Sequence, residues 1–114
     1  MSTIYKICPR VLWQEAEARG RFDGAPIDLS DGFIHFSTAD QVRETAAKHF
    51  SGQGDLLLIA VDGDRLGAAL KYEVSRGGAL FPHLYAPLDL AAVLWAKPLP
   101  LAPSGEHTFP RLEG

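Results

Sequence analysis

Hydrophobic and polar positions alternate along this chain with two different periods, and the switches between them mark the elements. Residues 3–8 (Thr-Ile-Tyr-Lys-Ile-Cys) are β-branched and aromatic and read as a first strand. Pro9 then suits the opening turn of a helix, where a missing N–H costs nothing. Val11, Leu12, Ala16 and Arg19 follow helical spacing, and Gly20 is a C-terminal stop, so a short amphipathic helix is expected over 10–19. From Arg21 to Gly32 the glycines, Pro26, Asp28, Ser30 and Asp31 punctuate what reads as a loop.

Asp31-Gly32 predicts a tight turn that launches the strand Phe33-Ile34-His35-Phe36. Strand alternation sets Phe33 and His35 on one face and Ile34 and Phe36 on the other. Ser37-Thr38-Ala39-Asp40 resembles a helix start with Ser37 as the N-cap, although Glu or Gln would partner a capping box better than Asp40. That helix is expected to run to about Phe50, with Ala39, Val42, Ala46 and Phe50 on its buried stripe. The apolar run from Leu56 to Val61, closed by Asp62-Gly63, reads as a strand buried on both faces. A turn or short helix over 63–68 precedes strands at 70–74 and 79–81, joined by the turn Arg76-Gly77-Gly78. Pro82 demotes its surroundings to an edge strand or an irregular crossing. A last strand covers 91–97, and residues 98–114 form an irregular, proline-rich tail. The order β-α-β-α-β-β-β-β, with two helices early and strands late, predicts an α+β fold over a single domain spanning 1–114.

Composition narrows the function classes. At 114 residues, 46% hydrophobic and 22% charged, the chain has the make-up of one globular domain. A net charge of −3 gives no basis for binding duplex nucleic acid through a basic surface. No apolar run approaches the roughly 18 residues that span a bilayer, so no membrane association is expected. The start lacks the layout of a signal peptide, and a lone cysteine, Cys8, excludes an internal disulfide; both suit a cytoplasmic protein.

The candidate chemistry lies in two segments, Asp31–Thr38 and Phe81–Tyr85, each placing a histidine in a short apolar run. His35 and His83 are each either packed, hydrogen-bonded imidazoles or acid–base and binding groups, because imidazole titrates near neutral pH. Ser37 follows His35 on the same face, and Tyr85 follows His83 with a hydroxyl and a ring that can stack. Arg76 beside Gly77-Gly78 is either an anion contact or an ordinary hairpin turn. Trp13 and Trp95 read as core, and His49 and His107 as weak candidates. Four histidines without a short-spaced pair give no zinc pattern, and no GxSxG, phosphate-binding glycine loop or HExxH is present.

The stretches Asp31–Ser37 and Ser75–Leu88 resemble those of a family of short bacterial proteins grouped as a domain of unknown function. A more distant resemblance links Ile34-His35-Phe36-Ser37, the strand ending at Asp62, and the turn Ser75-Arg76-Gly77-Gly78 to the ADP-ribosyltransferase superfamily, in particular its RNA 2′-phosphotransferase branch. It implies a split, bent, mostly antiparallel sheet with NAD or an ADP-ribose- or phosphate-bearing ligand in the cleft between the halves. It implies that His35 and Arg76 hold a phosphate or ribose, with His83 and Tyr85 as further wall residues. The site expected from both readings has His35 and His83 as catalytic candidates and Ser37, Arg76 and Tyr85 as ligand contacts. The superfamily's first-strand His/Arg-Gly-Thr has no counterpart around Tyr5-Lys6-Ile7-Cys8, and its late catalytic glutamate has no clear one. Three functions therefore stay open: a transferase, a catalytically silent nucleotide- or small-molecule-binding module, and a structural protein with packed histidines.

Overall fold

The computed structural model describes residues 2–114, apart from the side chain of Arg76. Strand β1 (Thr3–Pro9) leads into helix α1 (Arg10–Arg19), which ends at Gly20 in the left-handed region (φ 88°) with its N–H on the Ala16 carbonyl. The segment expected as a loop folds into strand β2 (Arg21–Phe22) and helix α2 (Pro26–Asp31). Proline at the first helical position is preorganised for that start, and the Asp28 carboxylate accepts the Ala25 N–H at 2.8 Å. Strand β3 (Ile34–His35) and helix α3 (Ala39–His49) follow. The α3 cap is Thr38 rather than Ser37, because Gln41 supplies the long polar side chain that Asp40 could not: its Oε1 accepts the Thr38 N–H at 3.0 Å.

Strand β4 (Leu56–Asp62), a 3₁₀ turn at Gly63–Ala69, β5 (Leu70–Val74), a tight turn at Arg76–Gly78, β6 (Leu80–Leu84), β7 (Leu88–Asp89), a 3₁₀ turn at Leu90–Ala92 and β8 (Val93–Pro98) complete the order. All strand pairs are antiparallel, in sheets β1-β4-β8 and β3-β6-β5 and a two-stranded β2-β7 ribbon. The fold is thus α+β, with three short α-helices before β4 where two were expected.

Core packing follows from the double burial of the first sheet. One face of β1 and β4 (Ile4, Cys8, Ile59, Val61) packs on Trp13 and Ala16 of α1 and on Phe22, Leu84 and Leu88. The opposite face (Tyr5, Ile7, Leu58, Ala60) packs on Val42 and Ala46 of α3 and on Leu99. A strand flanked by strands and covered on both faces has no polar side, which is why β4 reads as an unbroken apolar run. Beyond Pro98 the chain makes the isolated bridge Leu101–His107 and lays Phe109 and Leu112 against the second core face.

Among the described residues, one isolated bridge joins the backbones of the two larger sheets. Tyr5 and Ser37 exchange backbone hydrogen bonds at 2.8 Å each way, so the segment carrying β3 touches β1 on one edge and β6 on the other.

Candidate functional site

β6 lies between β3 and β5 and is a central strand, which corrects the edge position expected from Pro82. The Pro82 carbonyl accepts the Phe36 N–H at 3.0 Å, so antiparallel geometry aims the proline nitrogen at the same neighbour. Only one donor is missing, at the end of the two-residue strand β3, and β5 makes no demand on it.

The register pairs His35 with His83 across β3 and β6. The His35 backbone N–H points away from β6, which makes this a non-hydrogen-bonded pair, the closer kind for side chains. The two imidazole centroids are 5.6 Å apart at 68°. Phe33, on the same face as expected, covers both: it stacks on His83 at 4.1 Å and 28° and tilts against His35 at 4.5 Å and Tyr85 at 5.2 Å.

Each histidine holds a carboxylate through Nδ1, but by different means. Asp28 Oδ1 lies 2.6 Å from His35 Nδ1 and also accepts the His35 backbone N–H at 3.0 Å. Lys6 Nζ, from the interior of β1, donates to the same carboxylate at 3.0 and 2.9 Å. Asp31 Oδ2 closes the other side of the ring, 2.9 Å from His35 Nε2. Burial alone would raise the Asp28 carboxyl; His35, Lys6 and the Ala25 N–H outweigh it and bring it from 3.8 down to about 2. Gly24 allows this approach, for a Cβ at its φ of 126° would stand 2.9 Å from the Asp28 Cβ.

On the other side, Glu73 of β5 lies 2.9 Å from His83 Nδ1 and accepts the Tyr85 hydroxyl at 2.7 Å. Tyr85 and then His83 hold the Glu73 carboxyl below its usual range, and the same bond raises the Tyr85 phenol.

These groups border a cleft of about 620 Å³ between β1, the β3 segment, α3 and the β5–β6 turn. Lys6, Asp31, Phe33, His35 and His83 line it, as do Thr45 and Lys48 of α3 and Ser75 and Gly77 of the turn. Ser37 lines it too but is buried, its Oγ 2.9 Å from Thr45 Oγ1. Gln41 spans from α3 to the β5–β6 arm through Nε2 to the Leu80 carbonyl at 2.7 Å. Tyr85 is exposed and reaches the site through Glu73 and Phe33. Arg76, the expected anion contact, has its side chain outside the described residues.

The cleft therefore brings together His35, His83 and Ser37, with Lys6, Asp31 and Phe33 also in its lining and Asp28 and Glu73 bonded to the two imidazoles, five groups that sequence reasoning did not single out. Pro26 followed two residues later by Asp28 was the available signal for α2 and its carboxylates. Cys8 is fully buried, which pushes its thiol up to about 11 and makes it an inert core residue. His107 bonds the Gln53 carbonyl at 2.7 Å, away from the cleft. Among the described residues no group of three or more His, Cys, Asp or Glu is arranged to hold a metal ion, and no helix is long and apolar enough to cross a membrane.

Comparison with solved structures places this architecture among known proteins. The crystal structure of protein CC0527 from Caulobacter crescentus is similar over 94% of each chain, at 50% identity and a TM-score of 0.90. A crystal structure of a double mutant of that protein gives the same values. Its solution NMR structure is similar over 93% of this chain and 91% of that one, at 52% identity and a TM-score of 0.84. No curated protein matches the chain. Residues 7–96, most of the sequence and all but one of the site residues, match the family described as protein of unknown function (DUF952), and the chain belongs to that family.

Proposed function

We propose that the cleft binds a phosphate- or ribose-bearing ligand of the NAD or ADP-ribose kind and that the protein is a transferase acting on it, with His35 as the acid–base group. The carrying observation is the register pairing of His35 with His83 on the wall of one cleft, each with Nδ1 held by a carboxylate. A carboxylate on Nδ1 fixes the orientation of the ring and turns Nε2 towards its reaction partner. Asp28 is suited to this because it is buried, fully hydrogen-bonded and held in its charged form. His83 and Glu73 form the second wall, with Phe33 offering ring area for a flat group. The split of the sheet into two halves with the cleft between them supports the ADP-ribosyltransferase resemblance.

One observation favours a second reading, a catalytically silent binding module. In β1, Lys6 is buried and neutralised by Asp28 where the superfamily carries His/Arg-Gly-Thr, so this strand presents no free cation to a nicotinamide ribose.

Thermal denaturation with NAD, ADP-ribose and a 2′-phosphorylated oligonucleotide tests binding. A ligand at 100 times its dissociation constant adds about 2.7 kcal/mol of stability, and the rise should vanish in His35→Ala. Turnover of the bound ligand by the parent, lost in His35→Ala, identifies the transferase; binding without turnover identifies the module. Unchanged melting with all three ligands would sink both readings.

A further inference from the structure

Lys6, Asp28, His35 and Asp31 form one chain of contacts, each link 3.0 Å or shorter. Its members come from β1, α2, β3 and the last residue of α2, and their side chains are 7%, 1%, 32% and 41% exposed in that order. The chain thus runs from the interior to the cleft and alternates base and acid. Both ring nitrogens of His35 face carboxylate oxygens, and only the imidazolium form donates from both. With His35 in that form the alternation is strict and the four charges cancel.

The two carboxylates on His35 are not equivalent. Asp28 accepts from Lys6, from the Ala25 N–H and from the His35 backbone as well as from the ring, so it is fixed. Asp31 is exposed and meets His35 through a single contact at Nε2. It ends α2 with no basic residue in that turn, and a carboxylate at a helix C-terminus opposes the helix dipole. Helix stability therefore gives no reason for an acid at this position, whereas the terminal imidazole does. Glu44 and Lys48, which also line the cleft, pair with each other at 2.7 Å, and the carboxylate at His35 Nε2 is that of Asp31.

We propose that Asp31 is an in-chain stand-in for an anionic oxygen of the ligand, a phosphate or a carboxylate, which displaces it from His35 Nε2 on binding. The proposal rests on the reading of this cleft as a ligand site and names the ligand group that meets His35. Exchange of one singly charged anion for another leaves the charge of the chain unchanged, so the buried Lys6–Asp28 pair is undisturbed while the exposed end changes partner. An exposed ion pair is weak, which makes the exchange inexpensive and the resting site self-capped.

The test uses the full chain with inorganic phosphate and with acetate, following the His35 Nε2 resonance by nitrogen-15 NMR in the parent, Asp31→Ala and Asp31→Asn. Removal of the competing carboxylate should tighten the anion up to about fivefold in both variants, the scale of an exposed ion pair. A response to phosphate alone identifies a phosphate ester as the ligand group, and a response to acetate alone identifies a carboxylate. Equal or weaker binding in both variants overturns the proposal, as does a His35 resonance indifferent to both anions in all three proteins. Because neither probe is a nucleotide, the test separates from the preceding one. Tightening of phosphate in Asp31→Ala, with NAD and ADP-ribose both inert, would end the nucleotide reading and leave the self-cap standing.

Discussion

His35 and His83 occupy matching places. They are register partners, both lie under Phe33, and both turn Nδ1 to a carboxylate. Their carboxylates differ in everything that sets energy. Asp28 is almost wholly buried, shares its charge with a buried lysine and is met by four nitrogen groups, of Lys6, Ala25 and the His35 backbone and ring. Glu73 is partly exposed and collects one hydroxyl and one ring nitrogen. The imidazoles differ in the opposite sense: His35 is the more exposed ring and His83 the buried one. A buried carboxylate under an open ring makes a rigid, reactive side chain, whereas an open carboxylate on a buried ring makes a brace. Under the proposed reading the two halves of the site do different work, His35 meeting the ligand and His83 shaping the wall.

The sharpest way to break this comparison is to remove the charge at the buried end. Asp28→Asn leaves the Lys6 ammonium buried without a counter-charge and should cost about 3–5 kcal/mol, read as a fall in the denaturation midpoint at unchanged slope. The double change Lys6→Met with Asp28→Asn should recover part of that loss, because no unpaired charge then remains inside. A loss below about 1 kcal/mol in the single variant would show that the pair is not sealed from water.

Acid probes the same carboxylate without mutation. Its folded value of about 2 lies below the ordinary 3.8, so the folded state holds fewer protons there than the unfolded state. The resulting stability, about 2 kcal/mol, is fully present above pH 4 and is lost as pH falls towards 2. A denaturation series across that window should show the decline in the parent and a smaller one in the Lys6→Met, Asp28→Asn double variant. Glu73→Gln should have the smallest effect on stability, since its carboxylate is open to solvent. Its signature is spectroscopic: without the hydrogen bond to a carboxylate that raises it, the Tyr85 phenol should titrate at lower pH in an ultraviolet titration.

Much of the frame could be read in the chain. The apolar run at Leu56–Val61 announced a doubly buried strand, and the alternation at Phe33–Phe36 set His35 and Phe33 on the cleft side. Periodicity reported these because each residue's environment repeats along its own element. What escaped depends on contacts across the fold. Asp28 and Asp31 sat in a stretch crowded with turn formers, where a six-residue helix is too short to display a period. Lys6 gave no warning, because a charged residue inside a strand reads as an outward position until a carboxylate from another element buries it. Pro82 misled for a related reason: its missing donor is costly only if a neighbour needs it, and β3 ends at that point. Ser37 was legible as a polar group beside His35, yet its capping role went to Thr38 because Gln41, not Asp40, reaches back.

The isolated backbone bridge between the larger sheets has a further consequence. If the pairing of Tyr5 with Ser37 continued in register, Ile7 would come to face His35 and the two halves would zip into one continuous sheet. The His35 N–H that such a closure would use is given instead to the Asp28 carboxylate, which Lys6 pins from the side of β1. Asp28 is in effect a wedge driven into the seam. The same oxygen that orients the imidazole holds the sheet open around it, so the gap and the imidazole beside it are one construction.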